Sequence, residues 1–253
     1  MSAENARVKT GKKVIYDFGS NNGDDIPYYL EKSDLVVAVE ANASLCEQIE
    51  AKFKKEISDG KLVVESCVLT TDSTALSQPF YVHKFNHVLS QFPKPDARII
   101  GEFSELQLPT KNVIDIIRRW GEPYYIKIDV EHYDQIILRE LFLNNIRPPY
   151  ISAESHSIEV FCILVALGHY DSFKLVDGST VSKVYRNHKI VTNKGEKIHS
   201  FPHHSAGPFG IDIKGGWMTK NNFHRMLGVS GMGWKDIHAS NVDSANESYM
   251  PLR

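Results

Sequence analysis

The feature that most constrains this chain is a regular alternation, from Val14 to Gly168, of short β-rich apolar runs with segments of helical period. Such alternation predicts strand–helix–strand units, and so an α/β, Rossmann-like domain: a mostly parallel sheet with helices on both faces. The expected strands are Val14–Phe18, Leu35–Val39, Leu62–Leu69, Tyr124–Asp129 and Tyr150–Ala153. Leu35–Val39 is Leu, Val and Ala throughout, the composition of a strand covered on both sides. The expected helices begin with Ile26–Lys32, where Pro27 is tolerated in the first turn. A second carries Leu45, Ile49 and Phe53 and stops at Asp59-Gly60; a third, capped by Thr110, holds Val113 to Trp120 and ends at Gly121. Tyr133–Leu143 and Ile158–Leu167 complete the set.

Two regions break the pattern. Residues 77–110 carry four prolines, two histidines and several aromatics, which predicts loops around a short strand at Phe80–His83 and a lid or acceptor loop. Beyond Gly168, Phe173–Val176 and Val184–Val191 are the expected last strands, one of them a candidate for antiparallel pairing. The resulting expectation is a single domain over 1–253, with a core at 14–191 and an irregular extension at 192–253 that is polar and frayed from Asp236 onward.

Composition narrows the class of function. At 42% hydrophobic and 24% charged the chain is globular in type, and a net charge of −2 gives no field that would gather nucleic acid. Met1–Lys13 lacks the apolar stretch of a signal peptide, and no apolar run approaches the roughly 20 residues of a spanning helix. Membrane insertion is therefore not expected. Three widely spaced cysteines, Cys46, Cys67 and Cys162, predict a reducing, cytoplasmic setting, with Cys46 and Cys162 facing the core. Homo-oligomerisation is left open.

Chemistry concentrates at three strand tips. Asp17-Phe18-Gly19-Ser20-Asn21-Asn22-Gly23 joins the first strand to the first helix, where open α/β sheets bind ligands. The spacing is G-x-x-x-G and not the G-x-G-x-x-G of dinucleotide binders, which disfavours a nicotinamide-dependent oxidoreductase. Acidic Asp17, Asp24 and Asp25 would repel phosphate but suit a ligand bearing a sulfonium and an ammonium group. Glu40, at the next strand's tip and about 20 residues on, is placed to accept hydrogen bonds from ribose hydroxyls. Its alternative is a capping role, for which Asn42 is better suited. Lys127-Ile128-Asp129-Val130-Glu131-His132 should bring Asp129 and Glu131 to the crevice, and Glu154-Ser155-His156 ends the neighbouring strand in the same way.

Taken in order, Asp17–Gly23, Glu40-Ala41-Asn42 and Lys127–Glu131 resemble the motifs of the FkbM-type family of class I S-adenosylmethionine-dependent methyltransferases, and Ser205-Ala206-Gly207-Pro208-Phe209-Gly210 is similar to a segment of some members. The resemblance implies a seven-stranded sheet, with Asp17, Gly19 and Gly23 at the methionine end of the donor and Glu40 on its ribose. The donor-binding set expected from it is Asp17, Gly19, Ser20, Asn21, Gly23, Glu40, Ala41, Cys67 and Val68. It also implies O-methylation of a small acceptor, a sugar or natural product, with S-adenosylhomocysteine as product. The chain departs from the family at Ala41 (usually Pro), His132 (usually Gly) and Asp134 (usually Glu), and His132 bears directly on the acceptor geometry. A non-catalytic donor-binding or partner-binding module of the same fold is the rival reading.

For a hydroxyl acceptor, His132 is the first candidate base, because imidazole titrates near neutrality; its alternative is a surface residue at a helix start. His156, Glu131 and Asp129 are the further catalytic candidates. Asp129, Glu154 and His156 could hold a divalent metal, against the commoner role of strand-tip carboxylates as hydrogen-bonding groups. His199, His203 and His204 lack a cysteine pair and are expected to be solvated rather than zinc ligands. Trp217, Phe223 and Trp234 either line an acceptor pocket or pin the irregular segment.

Overall fold

The structure, a computed structural model, describes residues 11–86 and 89–246; the first ten residues and the tail beyond Asn246, with what the sequence suggests of them, lie outside the described residues. The chain runs β1 (Val14–Phe18), α1 (Ile26–Lys32), β2 (Leu35–Glu40), α2 (Ala43–Lys52), α3 (Lys54–Ser58), β3 (Leu62–Ser66) and β4 (Val68–Thr70). It continues through β5 (Ser77–His83), β6 (Phe103–Asn112), α4 (Val113–Trp120), β7 (Pro123–Ile128), α5 (Asp134–Leu143), β8 (Tyr150–Ser155) and α6 (Ile158–Ala166). Last come β9 (Ser172–Asp177), α7 (Val181–Val184), β10 (His188–Thr192), β11 (Gly195–His199), β12 (Met218–Thr219), α8 (Lys220–Ser230) and β13 (Gly233–Ser240).

The main sheet has the order β12-β9-β13-β8-β7-β1-β2-β3. Strands β3, β2, β1, β7 and β8 are mutually parallel, and β13 is antiparallel to both β8 and β9. The expected α/β fold with a mostly parallel sheet is present. The sheet has eight strands rather than seven, because the two-residue β12 adds to the β9 edge. Strand order reverses at β1, which pairs Phe18 with Val39 on one side and with Ile128 on the other. The carboxyl ends of β1, β2 and β7 therefore open onto one crevice, where ligands of open α/β sheets bind.

Period-two alternation divides the core. Val14, Tyr16 and Phe18 pack to one side of β1 with Val37, Ile126 and the α4–α6 helices; Ile15 packs to the other with Tyr28, Tyr29, Val36 and Phe209. Asp17 follows Ile15, so it is carried to the α1 side.

Several expectations are corrected. The helix α4 is capped by Asn112, whose side chain accepts from the Ile114 N–H at 2.8 Å; Thr110 lies within β6 and donates to the Ala75 carbonyl. Cys162 is exposed on α6, whereas Cys46 is buried as expected. Of Val184–Val191, only His188–Val191 is strand: it forms most of β10, which pairs antiparallel with β11 in a separate two-stranded sheet and not in the main one, while Val184 ends α7. The described residues of 77–110 hold more strand than expected, since β5 and β6 pair antiparallel over seven positions and β4 joins β6 in a three-stranded sheet.

The largest correction concerns the C-terminal region. Asp236 does not begin a frayed tail; it lies in β13, inserted between β8 and β9, with Asp236, His238 and Ser240 all buried. The core therefore extends beyond residue 191. The misleading signal was polarity, since polar residues occupy four of the eight β13 positions: Lys235, Asp236, His238 and Ser240. His238 is tolerated because it is neutral: burial, then the nearby Lys174 charge, pushes its pKa down to about 3, and its ring stacks beside Tyr125.

Candidate active site

Gly19 closes the tip of β1. Its N–H and that of Ser20 both donate to the Val39 carbonyl at 3.0 Å, while the Asp129 N–H donates to the Phe18 carbonyl at 3.0 Å. The turn is thereby pressed between β2 and β7. Gly19 has φ +81°, and a Cβ built on it would lie 1.8 Å from the Asp129 carbonyl oxygen. Only glycine fits.

A cavity of about 460 Å³ opens from this turn. One end is lined by Gly19, Asn21, Glu40, Ala41, Cys67 and Val68; the other by Asp129, Glu131, Glu154 and His156. Six of the nine expected donor-binding residues thus line one space. The segment 77–110 supplies Phe80, Leu89, Ser90 and Phe92 to the wall, and the C-terminal region supplies His204 and Trp234.

Glu40 bridges the two turns at the cavity's first end. Its Oε2 accepts from the Asn21 N–H and its Oε1 from the Asn42 N–H, each at 2.8 Å. Each oxygen keeps further lone-pair capacity, so two adjacent hydroxyls can donate to it as well. Burial lifts the Glu40 pKa to about 7, although the N–H groups of Asn42 and Asn21 pull it down. Asn42 is the α2 cap, accepting from the Ser44 N–H at 3.1 Å.

The remaining turn residues do other work. Asp17 is buried on the α1 side, 3.5 Å from Lys127 Nζ, which also donates to the Gly19 carbonyl at 2.7 Å and lies 3.2 Å from Asp129. Burial raises the Asp17 pKa and Lys127 opposes the rise. Asp17 thus positions the turn through Lys127 and is not among the cavity-lining residues. Gly23 faces Ile26, Ile49 and Phe53, and the Ser20 hydroxyl donates to the Asp17 carbonyl at 2.8 Å; neither lines the cavity.

The acids read as complementing a cationic ligand are mostly spent on the protein itself. Asp24 lies 3.8 Å from Lys52. Asp25 accepts from the Ser205 hydroxyl and from the Ala206 N–H at 3.0 Å. Its pKa rises to about 7, through burial and then the Asp17 charge. This latch anchors the Ser205–Gly210 segment on α1, where Phe209 stacks on Tyr125 at 4.0 Å. Ser205→Ala would strand a buried carboxylate oxygen, and we expect urea denaturation to show a loss of about 1–3 kcal/mol.

At the far end, β7 stops at Ile128, and Glu131 (φ +41°) and His132 (φ +66°) form a left-handed pair before α5 begins at Asp134. The pair turns Glu131 into the cavity and leaves His132 exposed, its ring 4.7 Å from that of His156. Nε2 of His156 lies 2.8 Å from Glu154 and 3.6 Å from Glu131. Burial opposes the imidazolium, but the Glu154, Asp134 and Glu131 carboxylates outweigh it and lift His156 to about 9. Glu131 rises to about 8 through burial, then the Asp129 and Glu154 charges. His132 is lowered by burial and by His156.

Of the three aromatics, Trp234 lines the cavity with His204, whereas Phe223 packs in the core against Phe161 and Phe173, and Trp217 stacks near Tyr150. His199 packs on Tyr28 and Phe201, and His203 on Trp234; among the described residues they form no metal-ligating group. Sequence reading missed Leu45, Leu69 and Tyr133 as lining residues, though it marked 77–110 as a lid or acceptor loop. Their only signal was apolar character, which core residues share.

No helix among the described residues is long and apolar enough to cross a membrane. No family model and no curated protein matches the chain. Among solved structures it is similar to the methyltransferase FkbM from Methylobacillus flagellatus KT, at 14% identity over 65% of this chain and 40% of that one, with a TM-score of 0.42. It is similar also to the spermidine synthase of Thermotoga maritima (10% identity, 93% of this chain and 56% of that one, TM-score 0.38). A third is an S-adenosylmethionine-dependent methyltransferase from Aquifex aeolicus (13%, 74% and 81%, TM-score 0.31). The chain spans less than two thirds of the first two. At these TM-scores the likenesses carry no argument, and both the fold and the chemistry of the site rest on the chain's own residues. What the chain has, by its strand order and its antiparallel β13, is a mixed, mostly parallel α/β sheet.

Proposed function

We propose that the chain is an S-adenosylmethionine-dependent methyltransferase that methylates a hydroxyl of a small acceptor, such as a sugar or natural product. The observation that carries this reading is the single cavity joining the Gly19 turn and Glu40 at one end to the Asp129, Glu131, Glu154 and His156 cluster at the other. Gly19 lets a ligand lie against bare backbone, Glu40 has acceptor capacity for two ribose hydroxyls, and Ala41, Cys67 and Val68 offer a wall of small and apolar side chains for a base. The donor, when bound, supplies a methyl group on a sulfonium. The protein's part is to hold the acceptor oxygen in line with it, and orientation of this kind is worth effective molarities up to about 10⁵–10⁸ M.

Asp129, Glu131 and His156 face the acceptor end and are the catalytic candidates; His132 acts through its packing on His156. His132→Ala is expected to leave donor affinity unchanged and to lower kcat less than about tenfold. A loss within the roughly 10²–10⁴-fold range of a general base would restore His132 to that role. Calorimetry with S-adenosylhomocysteine and with NAD tests the ligand class: saturable binding of the first only is expected. A methyl-release assay across hydroxylated acceptors then separates enzyme from binding module, which would bind the donor and release nothing.

A further inference from the structure

At the acceptor end of the cavity three carboxyl groups, Glu131, Glu154 and Asp134, surround the His156 imidazole. Lys127 is engaged by Asp17 and Asp129. That leaves Glu131 and Glu154 facing one imidazole. One ligand atom from each of Glu131, Glu154 and His156 lies within 4.8 Å of the other two. Nε2 of His156 is buried between the two carboxylates, 2.8 Å from Glu154 and 3.6 Å from Glu131. A second observation concerns Asp134 behind them. It is 1% exposed and neither of its carboxyl oxygens has a hydrogen-bond partner; burial first, then the Asp129 charge, lifts its pKa to about 7, while His156 opposes the rise. An unpaired buried carboxylate is costly unless a positive charge sits nearby.

We infer that Glu131, Glu154 and His156 bind a divalent cation, Mg²⁺ or Mn²⁺, at the acceptor end of the cavity. Ligands about 2.1 Å from such an ion lie about 3.0 Å apart when adjacent and about 4.2 Å apart across it; His156 lies 2.8 Å from Glu154 and 3.6 Å from Glu131, so small movements bring all three onto one ion. Two carboxylates and one imidazole are a donor set for Mn²⁺ or Mg²⁺, and neither Cys46 nor Cys67 lies in it to favour a softer metal. The mixed set also disfavours an organic ammonium, which gains from oxygen acceptors alone. Glu131 can join because its left-handed backbone turns it inward, so it takes the place that Asp129 was expected to fill. Asp129 stays with Lys127. With three protein ligands the ion keeps open positions for water and for an acceptor hydroxyl, whose ionisation it makes easier. That role in the reaction rests on the methyltransferase reading above; the binding of the ion does not.

The test is a Mn²⁺ titration of the full chain, followed by electron paramagnetic resonance without donor or acceptor. One saturable Mn²⁺ per chain is expected, with spin-echo modulation from an imidazole nitrogen. Glu131→Gln and Glu154→Gln should each weaken binding at least about tenfold, and His156→Ala should remove the nitrogen modulation. Affinity for S-adenosylhomocysteine, measured alongside, should stay within about twofold. The inference is overturned if Mn²⁺ does not saturate, if its signal lacks nitrogen modulation in the wild-type chain, or if binding survives in all three variants. It is overturned equally if spermidine, used as a cationic probe, binds in place of Mn²⁺ and is lost in the same variants. The wild-type spectrum decides even if a variant fails to fold. A chain that binds Mn²⁺ but not S-adenosylhomocysteine would sink the donor reading and leave the cation site standing.

Discussion

Glu40→Gln is expected to weaken S-adenosylhomocysteine binding by about 2–3 kcal/mol, roughly 30- to 150-fold, because hydrogen bonds to a charged acceptor contribute about 1.5–3 kcal/mol each. The amide keeps one accepting oxygen and offers an NH₂ where the second carboxylate oxygen now takes a backbone N–H and would take a ligand hydroxyl. The wild-type protein should also show a pH dependence that the variant lacks. Burial holds the Glu40 carboxyl at about 7. Two hydroxyls donate best to the ionised form, so ligand binding favours loss of the proton. Affinity should therefore rise as pH increases through 7, and fall toward a limit of about tenfold per pH unit below it. Calorimetry between pH 5.5 and 8.5 reads both effects. Equal affinity in the two proteins, or parallel pH profiles, would remove Glu40 from the donor site.

Gly19→Ala should produce the largest change in stability of any single methyl addition to the turn. The left-handed backbone, at φ +81°, costs an alanine about 1–2 kcal/mol. Crowding adds about 1–3 kcal/mol more, because the new methyl meets the Asp129 carbonyl oxygen rather than a movable side chain. The expected total is about 2–5 kcal/mol in urea denaturation, with donor binding lost as β1 and β7 are forced apart. Gly60 supplies the control. Its φ is +67°, and a Cβ there meets nothing within 4 Å. Gly60→Ala should cost only the backbone part, about 1–2 kcal/mol, and leave ligand affinity unchanged. Equal losses in the two variants would mean that the approach of Gly19 to Asp129 carries no strain.

Much of the parallel half of the sheet was legible because its determinants are local. Solid apolar runs, helical spacing and Pro27 at a helix start depend on neighbours a few residues away, and β1, α1 and β2 fall within a residue of their expected bounds. Gly19 and Glu40 were legible for the same reason: each ends a strand, and strand ends in this fold meet in one crevice. Asp25 was not. An acid in a glycine turn can face a ligand or the protein, and only the arrival of Ser205 and Ala206, 180 residues away in sequence for the first, assigned it. Glu131 was placed in the crevice by strand alternation, yet it reaches the cavity through a left-handed turn after β7 has ended.

The amino-acid order alone therefore determined the α/β class, the glycine turn that lines the cavity and the carboxylate at the tip of β2, because periodicity and chain reversal are short-range properties of the backbone. Tertiary structure alone decided that the polar Gly233–Ser240 segment becomes an interior strand, which acids are spent on Lys52, Lys127 and Ser205, and which are left facing His156. The physical reason is that burial, charge pairing and the use of hydrogen-bond acceptors are set by residues distant in sequence, and a polar strand enters the sheet only when both flanking strands are there to accept its backbone.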